Sequence, residues 1–209
     1  MLTEVNDVGE CTSEHKQDEL VDIVGNLSKT SSVMIISGSL PQGVESGYYA
    51  RLFSVAAPNT LKIADTEGAK LLSALSTGLD LVKPNKDELQ STLQQEFKSR
   101  DDLIKGCYAL LDKGAKRVLL SLGKRGAIIT DGSKNYYCKS INVAINSTVG
   151  AGDGMVAAAA MMLEQGAPLN EILRAGVAAG TATVTTFGQI SFTKEKYDEI
   201  FSNIKVEEF

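Results

Sequence analysis

The segment Asn146-Ser147-Thr148-Val149-Gly150-Ala151-Gly152-Asp153, followed at once by an alanine-rich apolar stretch, carries the strongest chemical signal in the chain. Glycines permit a tight turn in which successive backbone N–H groups point into one concavity. A helix start adds unpaired donors and the positive end of its dipole. Gly150, Ala151 and Gly152 therefore read as an anion hole, with Asp153 at its edge in the first turn of a helix. On the residues alone, two readings of Asp153 stay open. It can cap the helix, a role worth around 1 kcal/mol. It can also be a general base, taking a proton from a hydroxyl that attacks a phosphoryl group held in the hole.

Two further loops hold candidate groups. Ser121-Leu122-Gly123-Lys124-Arg125-Gly126 follows an apolar run and reads either as a plain β-turn or as backbone that approaches a phosphate beside Lys124 and Arg125. In Lys83-Pro84-Asn85-Lys86-Asp87-Glu88, Asn85 fits a helix N-cap, and Glu88 three residues on closes a capping box. The alternative is that Asn85 and Glu88 help place Mg²⁺ and its waters, a job that takes one or two carboxylates plus phosphate oxygens. Standard nucleotide fingerprints are not met. Arg125 follows Gly123-Lys124 where a P-loop needs Ser or Thr, and Met155 stands where a dinucleotide fingerprint needs its third glycine.

Composition narrows the chemistry. In 209 residues there are 21 basic and 26 acidic side chains, a net charge of −5, with no basic block to attract nucleic acid or an anionic membrane. Hydrophobic residues at 43% and charged residues at 22% fit a globular chain long enough to bury a core. The apolar run Met155 to Leu163 is too short for a membrane span, and acidic residues stand where a signal peptide would be basic. The chain reads as cytoplasmic. With His15 alone, in a polar stretch, no Ser-His-Asp triad or histidine metal cage is available. Cys11, Cys107 and Cys138 are too far apart for a disulfide framework or a zinc site. Any catalysis must use carboxylates, hydroxyls, lysines or backbone dipoles.

The elements that must position these groups follow from periodicity. Strands are predicted at Val33–Ser37, Leu61–Asp65, Leu79–Lys83 and Val118–Leu122, near-continuous apolar runs of the kind covered on both faces. Ala127–Thr130 and Tyr136–Cys138 predict a hairpin turning at Asp131-Gly132. Helices are predicted at 17–27, 46–56, 69–76, 86–94 and 100–113. After Gly150 the pattern is helical throughout, at 152–164, 168–186 and 194–204. Such alternation implies a layered α/β fold with a mostly parallel sheet, whose ligands gather at the carboxyl ends of its strands. A dinucleotide-binding module and a dimer-forming structural role are weaker readings of the same pattern.

Taken in order, Ser37-Gly38-Ser39-Leu40-Pro41, Asn85-x-x-Glu88, Ser121-x-Gly123-x-x-Gly126 and Gly150-Ala151-Gly152-Asp153 resemble the motifs of the PfkB/ribokinase family of carbohydrate kinases. The resemblance covers nearly the whole chain. Thr3-Glu4-Val5-Asn6 is similar to a segment that the family's hexose-phosphate branch carries in mid-chain. The resemblance implies a three-layer ribokinase-like core, with residues 1–209 forming one domain that lacks the N-terminal strands and β-lid. It implies ATP and Mg²⁺, and conversion of fructose 1-phosphate to fructose 1,6-bisphosphate. Tagatose 6-phosphate is the alternative substrate, and a non-catalytic nucleotide-binding fragment is the alternative function. Asp153 would be the base, and the amides of Ala151, Gly152 and Asp153 would hold the transferred phosphoryl group. Ser121, Leu122, Gly123, Lys124, Arg125 and Gly126 would line the ATP, Asn85 and Glu88 would act through Mg²⁺, and adenine would lie near Ala175 to Ala179.

Two departures from the family pattern carry expectations. Gly154 stands where the family usually has Ser, Ala or Thr, and a glycine there costs a helix up to about 1 kcal/mol, which should loosen Asp153. Missing N-terminal strands should expose a sheet edge, so self-association or pairing with an N-terminal half is expected.

Overall fold

The computed structural model describes residues 10–187 and 192–209, so the Thr3–Asn6 segment lies outside the described residues. Strands β1 (Val33–Ser37), β2 (Leu61–Asp65), β3 (Leu81–Val82) and β4 (Val118–Ser121) run parallel. β5 (Ala127–Thr130), β6 (Asn135–Cys138) and β7 (Val206–Glu208) continue the same seven-stranded sheet antiparallel, in sequence order.

Side chains of the central strands alternate between two cores. Ala64, Val82, Val118, Leu120 and Ile128 pack beneath α1 (Glu14–Ser28), α2 (Tyr48–Ser54), α3 (Gly68–Leu75), α4 (Lys86–Leu93) and α5 (Arg100–Asp112). Ile63, Leu81, Leu119, Ala127 and Ile129 pack beneath α6 (Ala151–Glu164), α7 (Leu169–Val184) and α8 (Lys194–Asn203). The result is the expected three-layer α/β core. β1 is different: among the described residues it pairs only with β2, and Ile35 is 43% exposed on it. A strand of this composition is apolar because it expects cover, yet here it forms an open edge.

Local sequence explains most element ends. Asn85 and Ser99 begin α4 and α5 with capping boxes closed by Glu88 and Asp102. Asp131 Oδ1 accepts from the backbone N–H groups of Ser133 and Lys134 at 2.9 Å each, forming the hairpin turn as predicted. Two expectations are corrected. The strand predicted at Leu79–Lys83 keeps a continuous ladder only at Leu81–Val82, with Leu79 reduced to an isolated bridge to Ala115. The chain after Gly150 is not wholly helical. Val206–Glu208 pairs with β6, because an open neighbouring edge can recruit a charged segment of weak strand propensity.

All three cysteines are free thiols, as expected. Burial pushes Cys107 and Cys138 up to about 12, so neither supplies a thiolate nucleophile. Among the described residues, no helix is long and apolar enough to cross a membrane.

Candidate active site

The parallel strands deliver the predicted loops to one edge of the sheet. Gly38 N donates to Asp65 O at 3.1 Å, and Thr66 Oγ1 donates to Gly38 O at 3.0 Å, which ties the first loop to the second. Ser121 N donates to Pro84 O at 3.0 Å, and Asn85 forms a parallel bridge with Ser121. Asn85 and the Ser121–Gly126 loop are therefore neighbours, although the whole of α4 and α5 separates them in sequence.

The Ser121–Gly126 loop closes into a 3-10 turn at Gly123–Arg125. Leu122 N donates to Gly126 O at 2.8 Å, and Tyr137 Oη donates to Arg125 O at 2.8 Å. Gly126 has φ +95°, and a Cβ there would fall 1.9 Å from Cys138 O, so only glycine fits. Lys124 and Arg125 are exposed.

The glycine turn begins α6 with Gly150 as N-cap in the left-handed region, φ 81°. Asp153 is the third residue of that helix. It makes no capping bond, is exposed, and has no hydrogen-bond or ion-pair partner among the described residues. The capping reading of Asp153 is thereby set aside. Ala151 N lies 3.4 Å from Thr148 O, while the amides of Gly152 and Asp153 have no backbone partner among the described residues. The approach to the turn is fixed by Asn146, whose N and Nδ2 donate to Val184 O at 2.8 Å and Thr185 O at 2.7 Å.

Gly154 does not break the helix, which continues unbroken to Glu164. A Cβ at 154 would lie 2.6 Å from Thr183 Oγ1, which itself donates to Ala179 O at 2.9 Å. The glycine lets α7 approach α6 closely, and the packing holds in place the turn that sequence alone expects to be loose.

Two functional candidates escaped the motif reading. Lys83 Nζ, 5% exposed, lies 3.0 Å from Asp65 Oδ1. A Cβ at Gly152 would stand 3.4 Å from that ammonium, so the start of α6 lies directly against it. Burial raises the Asp65 carboxyl above its ordinary range, Lys83 pulls it back, and Asp153 adds a further upward push. Burial likewise raises Glu88, against lowering by the Asn85 backbone hydrogen bond and by Lys83. The sequence signal was present: charged residues closing apolar runs at the carboxyl ends of strands.

The capping box fixes Glu88 through Oε2, which accepts from Asn85 N at 2.7 Å, and Asn85 Oδ1 accepts from Glu88 N at 2.9 Å. Oε1 of Glu88 has no hydrogen bond among the described residues. A desolvated carboxylate with one oxygen uncommitted suits a divalent ion held mainly through water and phosphate oxygens. No group of three or more His, Cys, Asp or Glu side chains placed to hold a metal occurs among the described residues. The residues thus fit a loosely held Mg²⁺ and not an all-protein cage.

A cavity of about 840 Å³ opens beside α6, lined by Gly150, Asp153, Ala157, Met161, Thr183 and Tyr197 among others. Lys83, Asn85 and Ser121 do not line it; Asp153 does. Ala175, Val177, Ala178 and Ala179 are at most 2% exposed, so the stretch expected to receive adenine is core, apart from Ala179 at the cavity wall.

Comparison with known proteins shows the family. The pfkB family carbohydrate kinase model matches residues 3–196, and the chain belongs to that family. It is 39% identical over 163 residues to ATP-dependent 6-phosphofructokinase isozyme 2 of Escherichia coli, covering 77% of this chain and 53% of that protein. Over 202 residues it is 34% identical to D-tagatose-1-phosphate kinase of Bacillus licheniformis, covering 95% and 65%. Over 208 residues it is 31% identical to 1-phosphofructokinase of Borreliella burgdorferi, covering 99% and 66%. The crystal structure of E. coli phosphofructokinase-2 with potassium superposes with a TM-score of 0.85 at 35% identity, over 92% of this chain and 63% of that one. The chain spans between about half and two thirds of the length of these relatives.

Proposed function

We propose that this chain carries the phosphoryl-transfer half of an ATP-dependent sugar-phosphate kinase, converting fructose 1-phosphate to fructose 1,6-bisphosphate. The observation that carries the reading is an exposed, uncapped Asp153 in the first turn of a helix whose start lies against a buried ammonium. Choice of fructose 1-phosphate is supported by the 1-phosphofructokinase relative, which matches across 99% of this chain.

In this reading Asp153 accepts the proton of the sugar hydroxyl as its oxygen attacks the γ-phosphoryl group in line. The amides of Gly152 and Asp153, with that of Ala151 beside them, face the charge that develops on the transferred group, and Lys83 adds a fixed positive charge below them. The Ser121–Gly126 turn lies against the remaining phosphates. Asn85 and Glu88 would hold Mg²⁺ through water, and the ion would supply charge neutralisation at the phosphates.

ADP release by the purified chain with Mg·ATP tests the reading, measured separately on fructose 1-phosphate, tagatose 6-phosphate and fructose 6-phosphate beside Asp153→Asn. Turnover on fructose 1-phosphate, lost in the variant, is expected; turnover on another sugar alone would reassign the substrate. A second reading, a nucleotide-binding piece without turnover, is favoured by the open edge of β1 and the exposed apolar Leu20, Ile23 and Leu27 on α1. ATP binding without turnover on any sugar, together with concentration-dependent self-association in light scattering, would establish it instead.

A further inference from the structure

Resting on the nucleotide reading above, we propose that Asp65 is a positioning residue: it holds the Lys83 ammonium beneath the start of α6, where that ammonium meets the phosphates. Sheet register, not a flexible loop, creates the pair. Ala64 of β2 is in register with Val82 of β3, and Lys83 N donates to Ala64 O at 3.1 Å, so Asp65 and Lys83 leave adjacent strands side by side. Their side chains are 14% and 5% exposed, and Nζ stands 3.0 Å from Oδ1.

As a purely structural feature the arrangement is poorly placed. An ammonium beside the N-terminal end of a helix dipole is repelled by it, and a lysine is rarely buried unless it is paired. Asp65 is the one ionic partner of Lys83 among the described residues. An ammonium has three donors, so this contact leaves others for the space in front of Gly152, whose Cβ position is 3.4 Å from Nζ. Lys83 and the unpaired amides of α6 therefore converge on one point from two elements. Asp65 supplies the countercharge that keeps the ammonium there when no anion is bound.

A double-mutant cycle on the full 209-residue chain tests this, with ATP and adenosine affinities measured by calorimetry for the unsubstituted chain, Asp65→Asn, Lys83→Met and the double variant. Each single substitution is expected to weaken ATP about tenfold or more while leaving adenosine unchanged, because the pair acts only on phosphate. The double variant is expected to bind ATP no more weakly than Lys83→Met, since Asp65 acts through Lys83. Additive losses, or equal losses for ATP and adenosine, would overturn the proposal. Should Asp65→Asn fail to fold with its ammonium unpaired, Lys83→Met against the double variant decides alone: ATP affinity in the double variant equal to or tighter than in Lys83→Met supports the role, and a further loss excludes it. Absence of ATP binding by the unsubstituted chain would overturn the nucleotide reading and this inference together. ATP binding with additive losses would overturn the inference only.

Discussion

Two aspartates with side chains of similar burial, Asp65 and Asp80, mark opposite ends of the parallel strands, at 14% and 10% exposed. Asp80 lies at the amino end. Its Oδ2 accepts from Lys62 N at 2.8 Å, its Oδ1 meets Lys116 Nζ at 2.8 Å, and its carbonyl oxygen accepts from Arg117. Both carboxylate oxygens are used up there, fixing β2, β3 and the entry to β4. Asp65 lies at the carboxyl end, and its side-chain partner is the buried Lys83. That ammonium has donors to spare and faces the start of α6. A saturated carboxylate makes a joint, whereas one whose partner still has free donors makes a site. The difference agrees with the rule that ligands of parallel sheets collect beyond the strands' carboxyl ends.

Substitutions should separate the two ends. The largest effect is expected for Asp153→Asn, a fall in turnover of about 10²- to 10⁴-fold by the ADP-release assay. Its melting temperature should fall by no more than about 2–4 °C, the loss of a charge at the helix N-terminus, because Asp153 is exposed and unbonded; a larger loss of stability would return the residue to a structural role. Gly126→Ala tests whether the functional end also contains a rigid joint. With φ +95° and a Cβ 1.9 Å from Cys138 O, it should cost at least about 2 kcal/mol in urea unfolding and weaken ATP binding as the turn deforms. Asp80→Ala should cost about 1–3 kcal/mol, mostly from leaving the Lys62 amide unsatisfied, since Lys116 is 67% exposed and its ion pair is screened. ATP affinity should be unchanged. A change there would show that the two ends are coupled and break the comparison.

How far the sequence revealed this depends on the range of the interaction. The capping box at Asn85, the Asp131-Gly132 turn and the boundaries of β1, β2 and β5 were legible because each is decided within a few residues. The pairing of Lys83 with Asp65 was not, since it depends on the register between two strands and not on spacing along the chain. Gly154 was misjudged for a related reason: helix propensity is local, whereas its place is set by Thr183 on the neighbouring helix. Val206–Glu208 became a strand only because β6 offered it an edge. Of the candidate site, sequence located the loops and Asp153 but missed the buried charge between them.

The smallest expected effect concerns acidity, and its sign distinguishes desolvation from charge pairing at Glu88. Burial raises this carboxyl despite the Asn85 amide and Lys83, so the folded chain binds its proton more tightly than the unfolded chain does. Its contribution to stability is then fully present below the ordinary carboxylate range and is lost as pH rises through the folded value. Asp65, also raised chiefly by burial, acts in the same direction. Asp131 opposes both: burial raises it, but hydrogen bonds from Lys134 and Ser133 leave it lowered, so its stabilisation is lost as pH falls. Glu88→Gln keeps an oxygen for the capping box and removes the titration. The variant should therefore gain on the unsubstituted chain as pH rises from about 4 to 7, by no more than about 2–4 °C in Tm. Saturating Mg·ATP should shrink that gain, because a bound cation favours the charged carboxylate. The opposite slope without ligand would mean that Lys83 outweighs burial at Glu88. The ammonium would then be shared between two carboxylates, and the contrast between a saturated joint at Asp80 and an open site at Asp65 would have to be redrawn.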